Sequence, residues 1–292
     1  MSEDMYTTDE ATGTNWTLWN GDSCERMQEM DNNSVDLSVS SPPFASLYTY
    51  SDSIRDLGNS TDKAQFLEHY RFIIDQLLRV TKPGRLACVH VQQLTTTKAT
   101  HGVIGLTDFR GDIIRAYIEA GWVFHGEVTV NKNPQAQAIR TKAQSLMFVT
   151  KNRDSSMSRP ALADYLLLFR KPGDNAVPIK TDVSNDEWIK WAEPVWWDIR
   201  ETNTLNERLG REDTDERHIC PLQLDFIDRC IRLWSNKDEL VFDPFGGLGS
   251  TPYEAVKLGR KGMSIELKHS YWVESVKLIS QLDKQLNTAT LF

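Results

Sequence analysis

Residues 241–251 read VFDPFGGLGST, which is an apolar run, a glycine-rich turn and the start of a helix. Glycines let the backbone approach a ligand closely, and the helix N-terminus offers unpaired N–H donors to an anionic group. The next apolar run ends at Glu266, where an acid at a strand end can bind the two hydroxyls of a ribose. This stretch therefore predicts a strand, turn and helix that bind a nucleoside-type cofactor.

The acid at the head of the turn narrows the class of cofactor. A dinucleotide site has G-x-G-x-x-G with amides facing the phosphates, whereas this turn has Asp243 followed by PFGGLGS. A carboxylate in that place suits a cationic cofactor without phosphates better than it suits a pyrophosphate. An NAD-dependent enzyme of the Rossmann type stays open as an alternative, which a cofactor titration would decide.

Strand-length and helix-length apolar patterns alternate on both sides of this turn. Alternation of this kind predicts an α/β fold with a parallel sheet and helices on both faces. Strands are predicted over residues 15–19, 35–40, 85–91, 122–130, 164–170, 240–243 and 262–266. Helices are predicted over residues 62–80, 112–120, 222–234, 251–258 and 271–285, and the turn Lys82-Pro83-Gly84 ends the first of them.

A second motif, Ser41-Pro42-Pro43-Phe44, follows the predicted strand 35–40. Two prolines fix a stiff, extended turn, so the Ser41 side chain and the Pro42 carbonyl can present acceptors in one direction. Phe44 supplies a flat face. An acceptor pair beside an aromatic ring is what an amino group on a flat base needs, although a merely stiffened loop is the plainer interpretation.

The charge distribution is uneven along the chain. A formal net charge of −8 argues against a generally basic nucleic-acid-binding surface. Residues 131–171 nevertheless hold eight Lys or Arg side chains against two Asp. This segment predicts a local basic face that contacts nucleic-acid phosphates, with a solvated loop as the alternative. The residues assigned to this face are Lys132, Arg140, Lys142 and Arg153.

The remaining composition is that of an ordinary globular protein. Hydrophobic residues make up 40% of the chain, and no apolar run reaches the ~20 residues of a membrane helix. The start of the sequence is acidic and polar, so we expect a cytoplasmic protein without a membrane partner. The four cysteines form no CxxC pair, which indicates neither a metal site nor a disulfide framework.

Taken together, the two motifs carry a family resemblance. Residues 41–44 resemble the (Asp/Asn/Ser)-Pro-Pro-(Tyr/Phe) motif of amino-group DNA methyltransferases, and residues 243–251 resemble their DPF-x-G-x-G-(S/T)-T cofactor loop. The Pro-Pro motif comes first, as in the circularly permuted β-group, whereas the protein glutamine methyltransferases with Asn-Pro-Pro-Tyr have the cofactor loop first. Further matches at residues 20–22, 82–84, 169–172 and 216–223 extend the resemblance over about residues 15–282.

The resemblance implies a fold and a division of the chain. The fold is a Rossmann-like S-adenosylmethionine-dependent methyltransferase fold, circularly permuted, with a mostly parallel seven-stranded sheet, one antiparallel strand and small DNA-recognition inserts. Residues 1–14 would be a flexible leader, and 15–173 the catalytic half with a basic insert at 131–161. Residues 174–217 would be a target-recognition insert, and 218–292 the cofactor-binding half.

The resemblance also implies roles for individual residues. Ser41 and Pro42 hydrogen-bond the target amine, Pro43 completes the motif, and Phe44 stacks on the flipped base. Asp22 binds the adenine amine of S-adenosyl-L-methionine, and Glu266 binds its ribose. The other implied cofactor-binding residues are His218, Asp243, Phe245, Gly246, Gly247, Gly249, Ser250 and Thr251. The segment 218–223 departs from the commoner His-Pro-Thr-Gln-Lys-Pro form, so packing is an alternative role for His218 and Cys220.

The activity implied is site-specific transfer of a methyl group to the N4 amine of cytosine in duplex DNA after base flipping. In the family, Ser followed by Phe in the Pro-Pro motif goes mostly with cytosine, whereas Asp or Asn goes with adenine. Adenine N6 methylation and a catalytically silent DNA- or cofactor-binding homologue stay open as alternatives. The implied partner is duplex DNA within a restriction–modification system, without a metal, and the chain could form a homodimer.

Overall fold

The computed structural model describes residues 8–43, 63–96, 98–141, 146, 151, 156, 158–205 and 221–289. The strands are β1 (Asp9–Thr12), β2 (Trp16–Asn20), β3 (Val35–Ser40), β4 (Thr81–Gln92), β5 (Leu94–Thr96), β6 (Gly105–Thr107), β7 (Val123–Val130), β8 (Asp164–Arg170), β9 (Val195–Trp196), β10 (Leu240–Asp243) and β11 (Lys261–Glu266). The helices are α1 (Ser23–Arg26), α2 (Lys63–Val80), α3 (Lys98–His101), α4 (Phe109–Glu119), α5 (Pro134–Thr141), α6 (Asn185–Trp191), α7 (Leu224–Trp234), α8 (Ser250–Lys257) and α9 (His269–Ala289). One 3-10 turn covers Met27–Glu29.

Within the described part of the chain, nine strands form one sheet in the order β1-β2-β11-β10-β3-β4-β8-β7-β9. The strands β2, β11, β10, β3 and β4 run parallel to one another, and β8 runs antiparallel to both β4 and β7. The seven strands from β2 to β7 in this order match the predicted sheet and its one antiparallel strand. The two edge strands, β1 and β9, are additions that the sequence pattern did not predict.

Helices cover both faces because the strands are apolar on both sides. Along β4, Ala87, Val89 and Val91 face the cluster built by α2 and α4, whereas Leu86 and Cys88 face the cluster that contains α7. Helix α2 buries Phe66, Tyr70, Ile73, Ile74 and Leu77. The helical spacing of these residues is the pattern from which the helix was predicted. The sheet is thus a buried layer between two helical layers, as parallel sheets require.

The ends of the chain meet in the sheet. Strand β2 lies beside β11, with Leu18 paired to Ser264 and Asn20 paired to Glu266. The Asn20 side chain also donates to the Glu266 carbonyl at 2.6 Å. The N-terminal strand β2 therefore extends the part of the sheet formed by the C-terminal strands β10 and β11.

Two sequence-based expectations need correction. The predicted leader 1–14 includes β1, which pairs antiparallel with β2, because residues 9–12 find unpaired edge groups on that strand. The turn 82–84 lies inside β4 as an irregularity, since Val35 pairs with Thr81 but Leu37 pairs with Leu86. The described part of the insert 174–217 contains α6 and β9, and β9 extends the sheet beside β7. Its role in target recognition stays a prediction.

No helix in the described part of the chain is both long and apolar enough to cross a membrane.

Candidate active site

The candidate site lies at one edge of the sheet, where the carboxyl ends of the parallel strands meet. Asp243 ends β10, Glu266 ends β11, and Ser41 follows β3. Asp22 follows β2 at the same edge. Because ligands of open α/β sheets bind outside these strand ends, the topology brings residues from both ends of the sequence to one crevice.

The glycine turn is held by β11. Gly246 donates its N–H to the Ile265 carbonyl at 2.8 Å, and Gly247 donates to the Glu266 carboxylate at 2.6 Å. A side chain at Gly246 would meet Ser264 at 2.8 Å, and one at Gly249 would meet Ser275 at 2.9 Å. Gly247, with a φ of +52°, has open space where a side chain would stand. The turn is therefore tightly packed at Gly246 and Gly249 but open at Gly247, where a ligand can approach the backbone.

Asp243 is buried at the head of this turn. Its carboxylate accepts the N–H of Phe245 at 2.9 Å. Burial raises the pKa of Asp243 to about 8, and the nearby charge of Glu266 adds to the rise, although the hydrogen bond from Phe245 opposes it. Such a carboxyl ionises readily only when a cation is brought beside it.

Asp22 links the first helix to the same turn. Its side chain caps α1 by accepting the Cys24 N–H at 2.7 Å. The neighbouring Ser23 hydroxyl donates to the Pro244 carbonyl at 2.5 Å. This pair of contacts places the carboxylate of Asp22 beside the turn that Asp243 begins.

These residues fit a cofactor with a nucleoside and a positive charge. The acidic side chains around the turn are Asp22, Asp243 and Glu266, which suit a cation better than a pyrophosphate. Gly247 leaves the space that a closely approaching ligand requires. These acidic side chains therefore disfavour a dinucleotide cofactor. No group of three or more His, Cys, Asp or Glu side chains able to hold a metal ion occurs among the described residues.

The Pro-Pro motif is joined to the cofactor turn. Thr251, at the start of α8, donates its hydroxyl to the Val39 carbonyl of β3 at 3.1 Å. Beyond it, Ser41 is half-buried, Pro42 is buried and Pro43 is half-buried. The predicted cofactor residues Ser250 and Thr251 are themselves buried, and the Thr251 hydroxyl holds the helix start against β3. Phe44 lies outside the described residues.

Sequence reasoning missed the partners of Ser41. Its hydroxyl lies 2.9 Å from Nδ1 of His90, whose Nε2 lies 2.9 Å from Oδ2 of Asp164. His90 is on β4 and Asp164 begins β8, so the three side chains come from different strands. The only sequence signal was a polar residue inside each of two apolar runs, which periodicity alone does not distinguish from a packing residue.

Lys132 takes part in this cluster and does not form a basic face. Its Nζ lies 2.5 Å from Oδ2 of Asp164, and its side chain is 3% exposed. The prediction that Lys132 contacts DNA phosphates therefore does not fit the structure, because the ammonium is buried and already neutralised. Arg140 lies on α5, and its side chain is not among those described. Lys142, Arg153 and His218 lie outside the described residues.

Solved structures share this fold. A candidate DNA modification methylase from Thermus thermophilus, complexed with S-adenosyl-L-methionine, superposes with a TM-score of 0.69 at 19% identity, covering 92% of this chain and 94% of its own. The PvuII DNA methyltransferase, which is cytosine-N4-specific, gives a TM-score of 0.67 at 19% identity and covers 96% of both chains. The predicted Rossmann-like methyltransferase fold is thereby confirmed.

Sequence comparisons agree with the structural ones. The type II methyltransferase M.MjaI of Methanocaldococcus jannaschii is 22% identical over 288 residues, which cover 88% of each chain. The family model of the N6/N4 DNA methylases matches residues 35–277, a span that includes the Pro-Pro motif, the His90 cluster and the glycine turn. The chain belongs to the N6/N4 family of DNA methylases.

Proposed function

We propose that this protein transfers a methyl group from S-adenosyl-L-methionine to the N4 amine of cytosine in duplex DNA. The observation that carries the choice of base is Ser41, a neutral hydroxyl at the edge of the sheet where the glycine turn lies. The cytosine-N4-specific PvuII enzyme, which has the same fold, supports it. Adenine N6 methylation is the competing outcome.

The cofactor is assigned to the crevice around the glycine turn. Asp22 and Glu266 would hold the adenine amine and the ribose, while Asp243 and the open backbone at Gly247 would face the charged end. Phe245 and the start of α8 shape the crevice. When bound, S-adenosyl-L-methionine supplies an electrophilic methyl group. The Thermus thermophilus structure with this cofactor supports the assignment.

The chain's own residues position the target amine. A duplex hides that amine, so the nucleotide must be extruded at a cost of a few kcal/mol, partly offset by stacking on Phe44. Acceptors at Ser41 and at the Pro42 carbonyl would direct the nitrogen lone pair away from the ring and towards the cofactor crevice. Catalysis is then mainly positioning and electrostatics, without a covalent intermediate on the protein.

Two segments of the chain are assigned to DNA. The basic residues Arg140, Lys142 and Arg153 would contact phosphates. The insert 174–217 would read the target sequence, and it carries exposed aromatic side chains at Trp188 (50%) and Trp197 (66%). Reversing the charge of Arg140 and Lys142 should flatten the salt dependence of DNA binding by about one unit of slope for each phosphate that is no longer neutralised.

The deciding experiment expresses the chain in a host without DNA modification and digests the DNA to nucleosides for mass spectrometry. N4-methylcytosine is the expected product, and sequencing the modified DNA would give its recognition site. N6-methyladenine without methylcytosine would replace the proposed base but leave the family. Unmodified DNA, with purified protein that binds S-adenosylhomocysteine, would favour a catalytically silent homologue.

A further inference from the structure

We propose that His90 and Asp164 are positioning residues that let Ser41 accept a proton from the target amine. The proposal rests on the proposed methyl transfer to an exocyclic amine, but it concerns residues that neither motif contains. It is carried by a continuous chain of contacts that starts at the Ser41 hydroxyl and runs into the protein interior.

The first part of that chain is set by strand register. Strand β3 pairs with β4 so that Ser40 lies beside Val89, which places the next residues, Ser41 and His90, side by side. Their side chains meet at 2.9 Å, between the hydroxyl oxygen and Nδ1. The ring of Phe226 on α7 packs edge-on against the imidazole at 5.4 Å. The imidazole is therefore held in one orientation by a hydrogen bond and by packing.

The second part is the buried carboxylate of Asp164. Three nitrogen atoms lie close to it: Nε2 of His90 at 2.9 Å, Nζ of Lys132 at 2.5 Å and Nε2 of Gln92 at 3.0 Å. Burial opposes ionisation, but the contacts with His90 and Lys132 outweigh it and lower the pKa of Asp164. Asp164 is thus a carboxylate, and Lys132 supplies its counter-charge.

An ionised Asp164 decides where the imidazole proton sits. A carboxylate can only accept, so Nε2 of His90 carries the hydrogen and Nδ1 keeps its lone pair. The Ser41 hydroxyl then donates to Nδ1. Both lone pairs of the serine oxygen are left to face the crevice, where an amine N–H can donate to them.

In this arrangement the Ser41 oxygen can accept the proton that the reacting amine loses. As the amine lone pair forms the N–C bond, the bond between the methyl carbon and the donor sulfur breaks, and its electron pair stays on sulfur. The amine proton passes to the Ser41 oxygen while the Ser41 proton passes to Nδ1 of His90. The imidazolium that forms is stabilised by Asp164 and later returns its proton to water.

The relay also explains how a neutral serine can act where other family members have a carboxylate or an amide. A free hydroxyl is a weak base, but one that donates to a neutral imidazole gains acceptor strength through the hydrogen-bonded network. Ser41 touches the amine, whereas His90 and Asp164 act through Ser41.

The test is single-turnover methyl transfer by the full chain on unmethylated DNA with saturating cofactor. His90→Asn places an amide oxygen near the former position of Nδ1. This oxygen can accept the hydrogen bond from Ser41, but it takes up no proton near neutral pH. We expect the rate to fall about 100-fold, within the range of general-base contributions. A wild-type rate in His90→Asn would show that a hydrogen-bond acceptor suffices and would overturn the relay.

Two further readouts separate proton transfer from a structural effect. The wild-type rate should fall towards low pH, because the relay needs a lone pair on Nδ1, and His90→Asn should lose this limb. The charged groups facing His90 are Asp164 from β8 and Lys132 from the segment after β7. Nitrogen NMR of the imidazole should show the proton on Nε2 in the wild type and a changed tautomer in Asp164→Asn. An unchanged pH limb or tautomer contradicts the proposal.

Controls separate this proposal from the proposed function. His125→Asn changes an exposed histidine on β7 and should leave the rate unchanged. Ser41→Ala combined with His90→Asn should be no slower than Ser41→Ala alone, because His90 acts only through Ser41. If the wild type transfers no methyl to any DNA, the proposed function fails and the relay with it. Wild-type transfer with a fully active His90→Asn removes the relay alone.

Discussion

At the scale of single residues, the role of Lys132 is decided by its ion-pair partner. Among the cations of residues 131–171 it looks like a phosphate ligand, yet in the fold it neutralises Asp164. A buried ammonium needs such a partner, because the cost of leaving water exceeds what the surrounding apolar groups can return. The same local sequence therefore contains a buried ion-pair partner and, by proposal, a basic surface.

Replacing Lys132 with Met should destabilise the protein without changing how it binds DNA. The substitution leaves Asp164 buried with one donor fewer and should lower the free energy of unfolding by about 3 kcal/mol. Urea denaturation measures that loss, and the salt slope of DNA binding should stay at its wild-type value. Lys151→Met, at an exposed lysine, is the matched control and should cost little. A reduced salt slope in Lys132→Met would restore the phosphate-contact interpretation.

Asp243 leads to a prediction about pH. Because its folded pKa of about 8 exceeds the ordinary value of 3.8, the folded state keeps a proton that the unfolded state has lost. Stability of the cofactor-free protein should therefore fall as pH rises from about 4 to about 8. Asp243→Asn should lack that component, and urea denaturation at pH 5, 6.5 and 8 compares the two slopes.

The same substitution should weaken cofactor binding. Removing a hydrogen bond to a charged group costs about 1.5–3 kcal/mol, or roughly tenfold or more in the affinity for S-adenosylhomocysteine measured by calorimetry. Parallel stability slopes in the wild type and Asp243→Asn would mean that burial does not raise the pKa of the carboxyl. Equal affinities would mean that the ligand does not use it.

At the scale of elements, the site depends on contacts between segments distant in sequence. Thr251 at the start of α8 joins the glycine turn to the end of β3, from which the Pro-Pro motif begins. Ser23 joins α1 to the other end of the same turn. The cofactor crevice and the catalytic motif are thus parts of one hydrogen-bonded unit.

Thr251→Val should uncouple these parts. The substitution keeps the shape but removes the donor to the Val39 carbonyl, so it should cost about 1 kcal/mol of stability and slow methyl transfer. Thr181→Val is the control, since the Thr181 hydroxyl donates to the Arg232 carbonyl at 2.8 Å. The two variants should lose similar stability by denaturation, and only Thr251→Val should lose rate. Equal rates would show that the tie is structural only.

Elements with strong periodicity were predicted within a few residues. The apolar spacing of α2 and the buried runs of β3, β8 and β10 are each sufficient to predict the element from its own residues. Helix α6 and strand β9 were not predicted, because their stability comes from partners. Arg229 of α7 lies 5.1 Å from the rings of both Trp191 and Trp196, and its guanidinium pairs with Asp198.

At the scale of the whole molecule, segments near both ends of the sequence build one side of the sheet. Strand β2 lies beside β11, and Asp283 of α9 accepts from the indole N–H of Trp16, at the start of β2, at 3.3 Å. The permuted order of motifs is compatible with the fold because sheet position, rather than sequence position, brings the motifs together.

Truncation should separate the two N-terminal strands. Deleting residues 1–12 removes β1 from the sheet edge and should lower stability modestly while cofactor binding persists. Deleting residues 1–20 also removes β2 and the Asn20 contact to the Glu266 carbonyl, and should abolish cofactor binding or folding. Circular dichroism and calorimetry with S-adenosylhomocysteine measure both outcomes. A fully active protein without residues 1–20 would contradict this account of the sheet.

The sequence by itself determined the family, the alternation of strands and helices, and the two motifs, because each of these lies in short continuous stretches. Local stretches carry their own backbone preferences, so SPPF and DPFGGLGST could be interpreted without knowing their neighbours. Only the tertiary structure decided which polar residues meet. His90, Asp164 and Lys132 are separated by dozens of residues, and strand register brings them together behind Ser41. Pairing across a sheet depends on contacts between distant residues, which no local pattern encodes.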